Sequence, residues 1–359
     1  MRIMLAIVIL FIGVEISLGK SLFAAPQQPP QPKPTAQFKI LFDDIPDPSV
    51  EQRTDAFDAS KFLIIYQGCD PQAASTGRID TDAVLKEIAR KIAGGVPTWG
   101  MLDFEDPFTS NLQAGVDSPK YQSTIQSMIA TIRVVKERYP NIKWTYYGTP
   151  FLSYWLDGKN WSNATTEAKK ALLDRIYKIY APLVAEEDWV SPSVYPVYDP
   201  LMFEPKTPDA VRESGRAWRI SSVGIAKILA AGKPVIPTIS PYWQPNGVAK
   251  AGTIVPQAQF LEDMVAPIVE AGANGVALWS SVGYCIELAI NGYAKKMHQE
   301  ENFGTRVWRD AFIQEYLENR PPTNWDDPML RATLLRKASL TILDSIRSIR
   351  SFRAKDVSQ

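Results

Sequence analysis

Histidine is almost absent: His298 is the only one in 359 residues. It lies in a polar stretch, Lys295-Lys296-Met297-His298-Gln299-Glu300, that reads as a solvated helix face. A Ser-His-Asp triad has no support there, and a multi-histidine metal site is impossible. Proton transfer, if the protein is an enzyme, must fall to carboxylates, tyrosines or lysines. No metal or organic cofactor is implied. Cysteine is nearly as scarce. Cys69 and Cys285 are far apart; in an exported protein they can form one disulfide closing a long loop, or they can remain two buried thiols. Neither sign of charge is in excess, with Lys+Arg and Asp+Glu at 39 each. Global charge therefore points to no nucleic acid, and nothing implies a protein partner. A glycine-rich nucleotide loop is missing too, since Tyr66-Gln67-Gly68-Cys69 is no dinucleotide fingerprint.

The one sustained apolar run, Ile3 to Val14, is short for a membrane span of about 20 residues. Arg2 precedes it, Glu15 and Lys20 lie beyond its end, and small residues come at Ser17-Leu18-Gly19 and Ala24-Ala25. That is the pattern of a secretory signal peptide, expected over residues 1–25, with an uncleaved membrane anchor as the alternative. No cysteine directly follows the run, which speaks against a lipoprotein. The expected location is secreted, periplasmic or cell-envelope. Residues 26–36 form an extended proline-rich linker.

Short apolar runs then alternate with helical patterns. Strands are expected at Phe62–Tyr66, Trp99–Phe104, Lys143–Tyr147, Trp189–Tyr195, Val235–Ile239 and Gly275–Trp279. Helices are expected at Thr81–Ala93, Ser123–Arg138, Thr166–Tyr180, Pro208–Ala231 and Pro256–Ala271. This alternation over about 240 residues indicates α/β architecture with a parallel sheet and helical crossovers. Polar or aromatic residues recur at strand ends (Asp103, Glu105, Tyr147, Tyr195, Trp279), as where a barrel enzyme gathers its catalytic groups. The expected fold is a TIM-like (β/α) barrel over residues 37–300, distorted if it has only seven strands. Residues 301–359 are expected as a helical C-terminal extension packed on it. Its helix, Asp327–Phe352, carries a basic end with Arg347, Arg350, Arg353 and Lys355, which suits a helix C-terminus.

In Trp99-Gly100-Met101-Leu102-Asp103-Phe104-Glu105 an apolar strand ends in carboxylates. Residues i and i+2 face one side, with Cβ atoms about 7 Å apart. One of two such carboxyls can hold its proton high enough to act as a general acid, which glycoside cleavage requires. Alone, D-x-E is a weak signal; metal binding or a salt-bridged strand end would look the same. Three further segments come after it in order: Tyr146-Tyr147-Gly148-Thr149-Pro150, then Ser193-Val194-Tyr195-Pro196-Val197-Tyr198, then Gly275-Val276-Ala277-Leu278-Trp279.

In this order the four segments resemble the hyaluronidase family of glycoside hydrolases, over about residues 60–290. The resemblance implies a retaining, substrate-assisted endo-N-acetylhexosaminidase, with Glu105 as general acid and then base and Asp103 orienting the substrate amide. It implies Tyr147 and Tyr195 around the acetamido group and Trp279 as its wall. Tyr198 and Trp243, on loops after neighbouring strands, are secondary candidates for extending the groove. It also implies a Cys69–Cys285 disulfide, because family members clasp the first barrel strand to the Leu-Trp strand. The chain departs from the family in three ways. The stretch from Cys69 to Asp103 is shorter, Asp106-Pro107-Phe108 follows the acid, and no C-terminal cysteine-rich module is present. This is the pattern of a distant, bacterial-type relative. The loops show few clustered Lys or Arg, so the expected partner is an N-acetylhexosamine polysaccharide or glycan, neutral or acidic. A non-catalytic carbohydrate-binding barrel and a cell-envelope structural protein are the competing classes. Asn160-Trp161-Ser162 and Asn163-Ala164-Thr165 are glycosylation sequons only in a eukaryotic host.

Overall fold

The computed structural model describes residues 37–152, 164–195, 208–243, 253–280, 314, 316–318 and 327–357. Within them the chain is mixed α/β, and every strand pairing is parallel. The strands are β1 (Lys39–Phe42), β2 (Ala59–Lys61), β3 (Leu63–Tyr66), β4 (Trp99–Asp103), β5 (Lys143–Tyr146), β6 (Thr238–Ile239) and β7 (Gly275–Leu278). As regular ladders they make two sheets, ordered β2-β1-β7-β6 and β3-β4-β5. Only Phe62 separates β2 from β3, and its N–H donates to the Phe42 carbonyl at 2.9 Å. One extended run thus lies beside β1 with its first half and beside β4 with its second.

At the other edges the two sheets are joined by single bridges. Tyr147 pairs with Ser191, Val190 with Val235, and Ser193 with Thr238, all parallel. Proline explains why these stretches are not full strands. Pro192, Pro234 and Pro237 have no N–H to give a ladder, while their carbonyls still accept. Val190 N–H reaches Pro234 at 2.9 Å, Thr238 reaches Pro192 at 3.0 Å, and Ala277 reaches Pro237 at 2.9 Å. The strands expected at Trp189–Tyr195 and Val235–Ile239 are therefore reduced to bridges plus the two residues of β6. The expected runs at 62–66, 99–104, 143–147 and 275–279 appear one residue shorter, as β3, β4, β5 and β7. β1 was not anticipated: four residues, Lys-Ile-Leu-Phe, are too few to show a period.

Strand side chains alternate between two apolar groups, as period 2 requires. Leu41, Phe62, Ile64, Trp99, Met101, Trp189, Ile236 and Ala277 form one group. In it Trp189 meets Trp99 and Phe62 edge to face, at 5.7 and 6.5 Å between centroids. The alternate residues, among them Ile40, Phe42, Ile65, Leu102, Trp144, Val190, Ile239 and Leu278, join the larger core with the helices. Strands covered on both faces are what a parallel sheet with helical crossovers needs.

Each helix has a local cause. Asp80 caps Thr81–Lys91 by accepting from the N–H groups of Asp82 and Ala83, and Val84 and Ile88 face inward. Ser118 caps Pro119–Arg138, with Pro at the first turn and Tyr121, Ile125, Met128, Ile132 and Val135 buried. Thr166–Glu186 runs six residues past its expected end, with Pro182 inside it. The stretch after Pro256 is Gln257–Gln259, a wider π turn over Phe260–Val265, and Ala266–Glu270. The C-terminal helix, Pro328–Val357, buries Leu334, Ala338, Ile342, Leu343, Ile346 and Ile349. Arg350 and Arg353 of its basic end help to dock it. Arg350 donates to the carbonyls of Phe57 and Asp58 at 2.8 and 3.0 Å, and Arg353 lies over the Phe38 ring at 4.9 Å. No helix among the described residues is long and apolar enough to cross a membrane.

Gly100 lets β4 pass the fully buried Trp144: a Cβ there would come within 2.5 Å of the indole ring. Gly100→Ala should destabilise the fold by about 1–3 kcal/mol, because the ring has nowhere to go. A urea midpoint unchanged from wild type would show that Trp144 can give way.

Candidate active site

The polar residues of these strands collect where β1, β3, β4, β5 and β7 end. Asp103 closes β4. Phe104 turns into the main core against Phe108 and Tyr146, at 5.3 and 6.4 Å. Asp103 and Glu105 are left on the opposite side, although the regular strand has stopped between them. A side-chain clamp holds Glu105. Gln67, just past β3, accepts from the Glu105 N–H at 3.1 Å and donates to the Asp106 carbonyl at 3.0 Å.

Four aromatic side chains make an arc around this pair. Tyr147 follows β5, its N–H bonded to Leu102 O at 2.9 Å and its hydroxyl 2.8 Å from Ser193 Oγ. The Tyr147 and Tyr195 rings stack at 5.9 Å and 29°. Tyr195 in turn lies 5.4 Å from Trp279, tilted by 30°. The Trp279 indole N–H donates to the Tyr66 hydroxyl at 3.2 Å, and Tyr66 stands beside Asp103 in the β3–β4 register. Arg219 secures the far side by donating to the carbonyls of Val194 and Tyr195 at 3.3 and 3.4 Å.

Crowding of carboxyls under apolar rings sets the electrostatics. Burial, and then the charge of Glu105, pushes the Asp103 carboxyl well above its ordinary range. Its Oδ1 has no hydrogen-bond partner among the described residues. Glu105 is reached by solvent, yet the protein mass around it and the Asp106 charge also raise it. Both shifts run upward, so the pair keeps a proton to higher pH than separate carboxylates would. Tyr147 and Tyr195 are held neutral by burial, with Asp103 and Glu105 adding to the effect.

Of the residues expected from the sequence, Asp103, Glu105, Tyr147, Tyr195 and Trp279 are brought together. Trp243 is not: it is buried in the main core, with its N–H on Thr253 O at 3.0 Å. Its ring packs inside instead of lining a groove. Tyr198 and Cys285 lie outside the described residues, and so does the other end of any Cys69 disulfide. Three groups escaped the sequence reading. Tyr66 carried the same signal as its partners, an aromatic at the end of an apolar run. Asp43, just past β1, accepts from the N–H and hydroxyl of Ser280 at 3.1 and 3.0 Å, and burial and Asp44 raise it to about 6. Gln67 had no signal at all.

A second buried carboxyl supports the tyrosine turn from below. Glu187 Oε1 accepts from Tyr146 N–H at 3.0 Å and from the Thr149 hydroxyl at 2.7 Å, so it ties down the turn that carries Tyr147. Its Oε2 has no hydrogen-bond partner among the described residues, and burial raises the acid from 4.5 to about 8.

No family model matches the chain, and no curated protein is similar to it. Among solved structures, bee venom hyaluronidase is similar over 84% of this chain and 100% of its own, at 16% identity and a TM-score of 0.46. Its complex with a hyaluronic acid tetramer gives 15% identity and 0.47, over 84% of this chain and 99% of that one. A GH18 chitinase from Pseudoalteromonas aurantia is similar over 65% of this chain and 74% of its own, at 14% identity and 0.36. Any enzymatic reading therefore rests on the site itself.

Glu187 predicts a pH dependence of stability. Its folded pKa lies above its unfolded one, so folding is favoured most below about pH 4.5, and this contribution is lost as pH rises towards 8. Glu187→Gln keeps an acceptor for Tyr146 and Thr149 and cannot ionise. Urea midpoints across that window should flatten in the variant. A wild-type midpoint already flat there would rule out the buried proton.

Proposed function

We propose that the chain is a glycoside hydrolase acting on N-acetylhexosamine glycans, built on a distorted seven-membered (β/α) barrel. The barrel reading rests on the extended run 59–66, which borders both β1 and β4, and on the bridges through 190–193. The apolar group of Trp99, Met101, Trp189 and their neighbours would be its interior. The observation that carries the functional reading is one juxtaposition. A proton-holding carboxyl pair stands under a four-ring aromatic arc at the strand ends, where barrel enzymes assemble their sites.

In this mechanism Glu105 protonates the glycosidic oxygen as the bond to the leaving glycan breaks. The substrate's acetamido oxygen attacks the anomeric carbon and takes the place of an enzymic nucleophile, a recognised exception to the two-carboxylate scheme. Asp103 accepts from the amide N–H as positive charge spreads onto that group; its unpartnered Oδ1 suits this task. Tyr147 and Tyr195, held neutral, donate to the acetamido group, and Trp279 covers it with an apolar face. Glu105, now a carboxylate, takes a proton from water as the water opens the cyclic intermediate, and the anomeric configuration is retained. Export through the N-terminal segment and a Cys69–Cys285 disulfide belong to the same proposal.

Glu105→Gln should abolish release of reducing ends from a panel of N-acetylhexosamine polysaccharides and leave the unfolding midpoint intact. Asp103→Asn should lower turnover by about 10²–10³, the scale for losing one preorganised charge-stabilising group. Because the acid must arrive protonated, wild-type activity should fall as pH rises through the raised pKa of the pair. Asp106→Asn removes a charge that raises Glu105 and should move that alkaline limb to lower pH. Binding of these glycans with no cleavage by wild type would instead favour a lectin-like protein.

A further inference from the structure

Carboxyls outnumber cations around the aromatic arc. Asp43 and Asp44 follow β1, and Asp103, Glu105 and Asp106 follow one another at the end of β4. Tyr66 stands between the two groups and feels Asp43, Asp103 and Asp44. Tyr147 and Tyr195 feel Asp103 and Glu105. The cations nearby are already committed. Lys91 donates to the Ile64 carbonyl at 2.7 Å and lies 5.2 Å from the Tyr66 ring centroid. Lys61 is paired with Glu51 and Asp44 at 3.2 and 3.5 Å. Arg219 is buried, donating to Val194 and Tyr195. The sequence outside the described residues supplies no basic excess between positions 153 and 300. There Asp157, Asp199, Glu204, Glu287 and Glu300 stand against Lys159, Lys206, Lys250, Lys295 and Lys296.

A groove with walls of low dielectric focuses this field, so a substrate must match it in sign along its length. A polymer with a uronate on every second sugar would set a carboxylate on each side of the cleaved N-acetylhexosamine. Those carboxylates would face Asp43 and Asp44 or Asp106, where Lys61, Lys91 and Arg219 are already engaged with groups of the protein. A sugar bearing only hydroxyls and acetamido groups meets no such repulsion, and one with a free ammonium is attracted.

Resting on the glycosidase reading above, we propose that this site takes N-acetylhexosamine glycans without acidic sugars. Runs of N-acetylated residues interrupted by free amino sugars are preferred over uronate-bearing chains. The same acidic rim that surrounds the acid catalyst is the selecting element.

The test compares three probes of equal length: hyaluronan oligosaccharides, fully N-acetylated chitin oligosaccharides, and partly N-deacetylated ones. Cleavage by the wild-type chain and binding by Glu105→Gln are measured at low and high salt. Chitin-type probes should be bound and cut about tenfold or more better than hyaluronan at low ionic strength, with the partly deacetylated probe best. The gap should shrink as salt shortens the screening length. Asp44→Asn combined with Asp106→Asn should narrow it at low salt. Equal or better use of hyaluronan, or a gap indifferent to both salt and the double variant, overturns the proposal. Loss of cleavage of every probe refutes the hydrolase reading alone, because the binding order of the three probes still decides the selectivity.

Discussion

A parallel strand covered on both faces has no lateral place for a polar side chain, so its polar groups are driven to its ends. Here the inner apolar group and the helix-facing core take up nearly every side chain along β1, β3, β4, β5 and β7. Asp43, Tyr66, Asp103, Tyr147 and Trp279 are what remains at their C-terminal ends. The aromatic arc and the carboxyl pair are consequences of that exclusion. The same burial that organises the strands also supplies the desolvation that raises Asp103 and Glu105.

The site is held by a second layer of polar contacts made by residues with no place in the proposed chemistry. Gln67 clamps the backbone of Glu105 and Asp106, Ser193 fixes the Tyr147 hydroxyl, and Arg219 holds the carbonyl of Tyr195. Asp43 ties Ser280, next to Trp279, to the end of β1. Glu187 fastens the Tyr146–Thr149 turn at the cost of a buried proton. Each contact joins one element to another, so the rings and the carboxyls keep their positions relative to one another although each sits on a different connection.

Proline shapes the architecture in an opposite sense. Pro192, Pro234 and Pro237 interrupt the ladders on one side and leave only bridges, yet their carbonyls still receive N–H groups from the neighbouring run. The result is a sheet arrangement less regular there than between β3, β4 and β5. The C-terminal helix packs beside the first strand run, its Arg350 capping the carbonyls of residues 57 and 58 just before β2.

The sequence by itself determined the α/β alternation, most helix starts, and the nature of the strand-end residues. These are local matters: an Asp80 or Ser118 cap, a 3.6-residue stripe, an apolar run ending in Asp103 or Trp279. It also determined that Asp103 and Glu105 share a side, because Phe104 between them is apolar and must go the other way. Only the tertiary structure decided which strand ends meet. Trp243, expected to extend the groove, is packed into the core, whereas Trp279 faces Tyr66 and Tyr195. Tyr66 carried an equal signal that acquired meaning only from the register beside Asp103. Gln67, Asp43 and Glu187 act across 38 or more residues of sequence, and hydrogen bonds of that reach leave no trace in local pattern. The charge balance, even over the whole chain, likewise hid an acidic rim, because only folding gathers Asp43, Asp44, Asp103, Glu105 and Asp106 on one side, with Lys61 shared between Asp44 and Glu51 and Lys91 held on a backbone carbonyl.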